Sequence, residues 1–228
     1  LADFSKKMKG GLFVVLEGVD GSGTTTLTRK LHDHIKKLSS YTNVLTTFEP
    51  QDYDELIRKV LNQDKDPYQK SQELATLFTE DRSLHCRYLI SPNLEQGVIV
   101  ISDRYAMSTI AYQSAQSSKI EELLMMQKRK SILMPDVTYF LDVSSENARE
   151  RLIKKGVPLD KFERDEEFTR RLIERYREIA NDESVYREYL GKIVTIDANP
   201  REDKVLEFVV SDFDNLFRGW KEDKLTRA

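Results

Sequence analysis

Cysteine is almost absent: Cys86 stands alone in 228 residues, so no internal disulfide can form and the chain fits a reducing cytoplasm. Histidine is nearly as scarce. His32, His34 and His85 make no metal-ligand spacing with Cys86, so no zinc site is expected and the thiol reads as buried and idle. No stretch approaches the roughly 20 apolar residues of a bilayer span, and Leu1 to Gly10 contains lysine but no apolar signal core. An excess of positive charge is missing too. With 36 basic and 39 acidic residues the net charge is −3, which offers nucleic acid no global field. Neither a nucleic-acid nor a membrane partner is expected. Internal repeats and low-complexity linkers are also lacking. Glycine is sparse at nine, yet Gly18, Gly21 and Gly23 crowd together.

What is present is an ordinary soluble balance, 33% charged and 39% hydrophobic, in a chain long enough for one domain with a substantial core. Apolar runs rich in Val, Ile and Phe recur at Leu12–Leu16, Val44–Phe48, Val98–Ile101, Val137–Leu141 and Ile193–Ile196. Helical patterns follow them, at 24–38, 52–62, 68–91, 105–113, 118–132, 144–155, 165–181 and 201–217. Five buried-type strands alternating with helices predict an α/β domain with a five-stranded parallel sheet. Ligands of such sheets gather at the carboxyl ends of the strands, which here are 17–25, 49–54, 103–113 and 142 onward. Residues 1–10 read as an N-terminal tail, 11–217 as the domain and 218–228 as a polar C-terminal tail. Gly156 and Pro158 interrupt two helical patterns, so 155–163 reads as a short mobile lid.

The glycine cluster is a phosphate-binding loop without its lysine. Gly18-Val19-Asp20-Gly21-Ser22-Gly23-Thr24-Thr25 lies between a strand pattern and a helical one, the context that gives the motif meaning. Glycines let backbone N–H groups close around phosphate oxygens, and the helix N-terminus adds a positive dipole. Thr25 occupies the hydroxyl position and would face magnesium. Thr24 stands where lysine belongs, so a positive charge near the β- and γ-phosphates must come from elsewhere or be dispensed with.

A second constellation follows the third strand pattern: Asp103-Arg104-Tyr105, Ser108-Thr109 and Ala111-Tyr112-Gln113. An Asp-Arg pair at a strand's carboxyl end can serve a metal ion and an anionic substrate, because the arginine fork donates to two oxygens at once. The plainer reading is a surface salt bridge with Asp103 capping a helix. The 103–113 pattern closely resembles the signature of thymidylate kinases. Leu16-Glu17-Gly18-Val19-Asp20, Phe48-Glu49-Pro50, the run Pro135 to Asp142, Leu159-Asp160-Lys161-Phe162-Glu163 and Ile196-Asp197-Ala198-Asn199 resemble that family as well. The likeness covers about residues 11 to 217.

That resemblance implies a three-layer P-loop kinase fold, a homodimer, and magnesium- and ATP-dependent phosphorylation of dTMP to dTDP on the way to dTTP. It makes Gly18, Val19, Asp20, Gly21, Ser22, Gly23, Thr24 and Thr25 the ATP loop, and Thr25 and Asp103 the magnesium side. Asp20 resembles the carboxylate that meets the 3′-hydroxyl, Glu49 lies near the monophosphate site, and Arg104 resembles the arginine of the acceptor phosphate. Phe78 and Arg82 fall where the family stacks and hydrogen-bonds thymine, and their offset of four puts them on one helix face. On periodicity alone, Phe78 continues a core stripe from Leu74. Ser108 and Gln113 resemble base-contacting residues, and Tyr112 resembles the ring that crowds C2′; Tyr112 and Gln113 fit a helix face against the core equally well.

Two departures stand out: Thr24 itself, and Gly21 where one branch of the family places an arginine. The other branch supplies basic residues from the lid. Arg149, Arg151, Lys154, Lys155 and Lys161 are the candidates here, with Arg151 and Lys155 assigned to catalysis; each alone also fits a solvated helix surface. The segment from Phe48 to Asp52 lacks an arginine seen in some relatives, which puts more weight on Arg104. Two other functions compete: a kinase for another deoxynucleotide or a deoxynucleoside, with Glu17 or Glu49 as base, and a nucleotide-binding protein of weak transfer activity.

Overall fold

The structure, a computed structural model, describes residues 10–156 and 158–225. Val157 of the predicted lid, nearly all of the predicted N-terminal tail and residues 226–228 lie outside the described residues. Strands β1 (Leu12–Glu17), β2 (Val44–Phe48), β3 (Ile99–Asp103), β4 (Val137–Asp142) and β5 (Lys192–Asp197) form one parallel sheet in the order β2-β3-β1-β4-β5. Leu12 pairs with Ile99 on one side of β1, and Val14 with Val137 on the other. Every residue of β1 is buried, whereas edge strands β2 and β5 are partly exposed. Helices cover both faces, which is why the central strands read as continuous apolar runs rather than alternating ones.

The helices are α1 (Thr24–Leu38), α2 (Leu56–Gln63), α3 (Ser71–His85), α4 (Ser91–Glu95), α5 (Ala106–Gln116), α6 (Ile120–Arg129), α7 (Ser145–Lys155), α8 (Lys161–Arg164), α9 (Glu166–Asn181), α10 (Glu183–Leu190) and α11 (Glu202–Leu225). Helix α1 turns Leu27, Leu31 and Ile35 inward at i, i+4, i+8 and places Lys36 and Lys37 where they complement its C-terminal dipole. It packs against α11 and strands β1, β2 and β3; α4 packs on β3 and α9 on β4 and β5, and α5 joins α3 to α9.

Three differences from the sequence reading have local causes. The single helix expected over 68–91 is broken by a π-helical turn, Cys86–Ile90. Pro92 follows it. Its ring crowds the carbonyl four residues back, and the backbone answers by widening: Ser91 N–H donates to Cys86 O, five residues earlier. Helix α8 is too short to carry a period, and its legible signal was the Asp160 to Glu163 capping box, which forms. Residues 218–225 are helix, not tail, because α11 continues its apolar face through Phe213, Phe217 and Trp220, stacked at 5.8 and 5.7 Å. Helix α10 had no counterpart in the sequence reading.

Candidate active site

The loop after β1 bends through three glycines at φ +156° (Gly18), +84° (Gly21) and +104° (Gly23), conformations that favour glycine. At Gly21 a Cβ would also lie 2.4 Å from the Ala148 carbonyl oxygen of α7. No side chain fits there, so the arginine carried by one branch of the family is excluded by packing as well as by conformation. Ser22 Oγ is buried without a protein partner, a donor open to a phosphate oxygen. Thr24 is buried in the lysine position. Thr25 Oγ1 donates to Asp103 Oδ2 at 2.5 Å, and Asp103 Oδ1 is buried with no partner. These hard oxygen donors suit magnesium. Among the described residues no three acidic, His or Cys groups form a metal cluster, so an ion here would take its remaining ligands from nucleotide phosphates and water.

Asp103 and Arg104 face different ways because Arg104 sits at φ +69°, an uncommon conformation for a residue with a side chain. Glu17 holds this turn. Its Oε1 accepts the N–H groups of Tyr105 (2.8 Å) and Ser108 (3.1 Å), and its Oε2 the Ser108 hydroxyl (2.6 Å). Glu17 therefore caps α5 across the fold, the role the plainer reading gave to Asp103. Burial pushes the Glu17 pKa up to about 7, against the pull of Ser108 and of the Arg104 charge. Released by this turn, Arg104 reaches Asp20 Oδ1 at 2.7 Å, and the Tyr112 hydroxyl donates to Asp20 Oδ2 at 3.1 Å. The salt bridge of Arg104 is thus internal to a cleft.

Beside this trio lies a recess lined by Phe78, Arg82, Gln113, Pro50 and the lid residue Phe162. Phe78 is half-buried at its wall, while Leu74 is fully buried in the core. Arg82 is buried and donates to Glu49 (2.7 Å), Gln127 (3.2 Å), the Tyr105 carbonyl and Thr109 (both 3.0 Å). Glu49 also accepts from His85 Nδ1 at 3.0 Å; since a carboxylate only accepts, that nitrogen carries the proton. Gln113 donates to Gln116, and its Oε1 is buried without a partner. Ser108 lines the recess too, but its hydroxyl is committed to Glu17 and shared with Tyr176 at 2.9 Å. Phe162 closes the recess edge-on against Tyr112, ring centroids 5.5 Å apart. Cys86 stays idle: it is buried, and burial lifts its thiol to about 11.

The lid cations disperse. Arg151 donates to the carbonyls of Ala198 (2.7 Å), Asn199 and Pro200 (3.2 Å each) and lies 3.4 Å from those of Gly21 and Ser22, tying α7 to the phosphate loop. Arg149 pairs with Glu166 and Lys154 with Glu150. Lys161 lies over the Phe162 ring, with its ammonium buried and unpartnered. Lys155 is exposed at the end of α7 and does not line the Phe78–Arg82 recess. Sequence reasoning named neither His85 nor Tyr176 for the site; the acidic residues Glu17, at the end of β1, and Glu49, just after β2, were the signal pointing to buried partners.

A family model described as thymidylate kinase matches residues 16–209. A probable thymidylate kinase of Staphylothermus marinus is 36% identical over 197 residues, covering 86% of this chain and 90% of that one. Thymidylate kinase of Mycoplasma capricolum is 34% identical over 203 residues, covering 85% and 90%. The crystal structure of thymidylate kinase from Ehrlichia chaffeensis matches with a TM-score of 0.67 at 25% identity, over 90% of this chain and 99% of that chain.

Proposed function

The chain belongs to the thymidylate kinase family, and on that premise we propose that it transfers the γ-phosphoryl group of ATP to dTMP, giving ADP and dTDP. The observation that carries this reading is Asp20, a loop carboxylate held by both Arg104 and Tyr112 at the mouth of the Phe78–Arg82–Gln113 recess. In it Phe78 stacks the base and Arg82 donates to it, while the open Gln113 Oε1 accepts the base N–H. Asp20 meets the 3′-hydroxyl and Tyr112 crowds C2′. Arg104 holds the acceptor phosphate, and Glu49 and Ser108 keep Arg82 and Arg104 in place.

A nucleotide phosphate, with a second pKa of about 6, is already largely a dianion at neutral pH and attacks without a base. An acceptor oxygen bonds to the γ-phosphorus, the β,γ-bridging P–O bond breaks, and its electron pair leaves on ADP. No proton moves. What the protein supplies is alignment and charge. Gly18 to Thr25 wrap the donor phosphates in backbone N–H groups, and Thr25 with Asp103 would hold magnesium, which supplies charge neutralisation when bound. Arg151 steadies the loop, and Lys155, beside Gly156, is free to approach as the lid closes and excludes water.

A deoxynucleoside acceptor would need a base for its hydroxyl proton. Glu17 and Glu49 are both committed to internal donors, which favours a phosphate acceptor. Residues 11 to the end of α11 act as one domain. We also take the enzyme to be cytoplasmic, as its lone thiol suggests, and a homodimer through helices beside the sheet, α3 among them; sedimentation tests the latter. A coupled assay with ATP, magnesium and a panel of monophosphates and nucleosides tests the activity. Far faster turnover of dTMP than of UMP is expected, and comparable kcat/KM for the two would sink the assignment.

A further inference from the structure

We propose that Arg29 supplies, from the second turn of α1, the cation that Thr24 withholds from the phosphate loop. The inference rests on the kinase reading above and concerns the same transfer site. A recess between α1 and the end of β2 is lined by Thr25, Thr28, Arg29, Phe48, Asp103 and Arg104, among others. It therefore joins the loop hydroxyl to the acceptor arginine at the place where phosphoryl transfer would occur. Two polar atoms in its wall, Thr28 Oγ1 and Asp103 Oδ1, are buried with no partner, so the recess is prepared for a polar occupant.

The cations around it differ in one respect. Arg104 is held by Asp20, and His32 lies 3.0 Å from Asp33. Arg29 is exposed and, among the described residues, has neither an ion-pair nor a hydrogen-bond partner. Its position follows from helix geometry. Arg29 is four residues beyond Thr25, hence on the same face, and helical side chains tilt toward the N-terminus. Both residues line the recess, and from the second turn of the helix the guanidinium can reach back toward the loop. A lysine at position 24 would bring charge from within the loop; Arg29 brings it from one turn below, on a fork that can span two phosphate oxygens. Among the lid cations, Arg149 and Lys154 answer carboxylates, Arg151 answers carbonyls and Lys161 lies over the Phe162 ring; none of them, nor Lys155, lines this recess.

The test is a charge transplant read by steady-state and single-turnover kinetics with ATP, magnesium and dTMP. Arg29→Ala is expected to lower kcat on the order of 10²-fold, as for loss of one group that stabilises developing charge, with KM for both substrates changing less and the thermal midpoint unchanged. Arg29→Lys should recover part of the loss. Thr24→Lys in the Arg29→Ala background should recover most of it, although alone it adds little. Wild-type turnover by Arg29→Ala overturns the proposal while the kinase reading stands; so does a loss that neither Arg29→Lys nor Thr24→Lys repairs, since charge is then not what was removed. A wild-type enzyme inactive on dTMP defeats the kinase reading instead. Magnesium-dependent ATP hydrolysis then carries the test, with the same loss and rescue expected and unchanged hydrolysis overturning it.

Discussion

The proposed acceptor half and donor half of the site are built on different principles. On the acceptor side each arginine is matched by a carboxylate: Arg82 by Glu49 and Arg104 by Asp20, with His85 and Tyr112 as second donors to those acids. On the donor side the phosphate loop has no cation, and Arg151 is held by backbone carbonyls. The Arg82–Glu49 pair is buried, so it fixes geometry before any ligand arrives and breaking it strands a charge, whereas Asp20 stays partly exposed. A cation without a partner, such as Arg29, costs less to hold and remains free to move. On the proposed reading, selectivity for the acceptor is therefore structural, whereas charge on the donor would gather from Arg29, nucleotide, magnesium and lid.

The comparison breaks first at Arg82. Arg82→Ala leaves Glu49 buried beside only His85, and about 3–5 kcal/mol of stability should be lost; urea denaturation measures it, and a loss under half of that would mean water or His85 replaces the pair. Arg104→Ala comes next. The fold should survive, because the residue is not in the core, while kcat/KM falls by at least the roughly 1.5–3 kcal/mol of a charge-assisted contact. Unchanged turnover in a well-folded variant would return Arg104 to the status of a structural salt bridge.

Glu17 sets a third test, on pH. Its folded pKa, about 7, is raised above the ordinary carboxyl value by burial. A raised pKa contributes stability that is complete below the unfolded value, near 4.5, and is lost as pH rises through about 7. Wild type should thus lose stability relative to Glu17→Gln between pH 5 and pH 8, by on the order of 2 kcal/mol. Parallel stability curves for the two proteins would show that Glu17 stays ionised throughout.

On the donor side, Arg151→Ala should raise KM for ATP by the equivalent of about 1.5 kcal/mol and leave KM for dTMP nearly unchanged. Equal effects on both substrates would erase the distinction between the halves. Lys155→Ala is a companion: slower single turnover without weaker ATP binding would identify it as a lid cation, and a wild-type rate as surface. The smallest effect belongs to Tyr112→Phe, which removes one bond to Asp20 while keeping the ring, for about 0.5–1.5 kcal/mol in kcat/KM. Tyr112→Ala should in addition narrow the gap between deoxy- and ribonucleotides, unless the ring serves only as packing.

Much of this was legible in the chain. All five strands lie within two residues of their apolar runs, and the helix over 24–38 has its expected bounds, because burial on both faces and the 3.6 period are written locally. The loop glycines and the 103–113 cluster also declared themselves by spacing. The two unread helices had weaker local signals. Phe78 illustrates the limit: periodicity put it in line with Leu74, yet one belongs to the core and the other to a recess wall, since the stripe leaves the packed face where α3 passes the site.

Sequence by itself determined the sheet, the phosphate loop and the family, each a matter of neighbours along the chain. Tertiary structure decided which charges meet. Arg104 finds Asp20 across 84 positions, Tyr112 finds it across 92, and Glu17 caps Tyr105 across 88. It also decided that Gly21 admits no side chain, because the Ala148 carbonyl of a distant helix fills the space. The reason is physical. Periodicity and turn chemistry act over a few residues, whereas desolvation and ion pairing depend on which groups the packed sheet brings to one end.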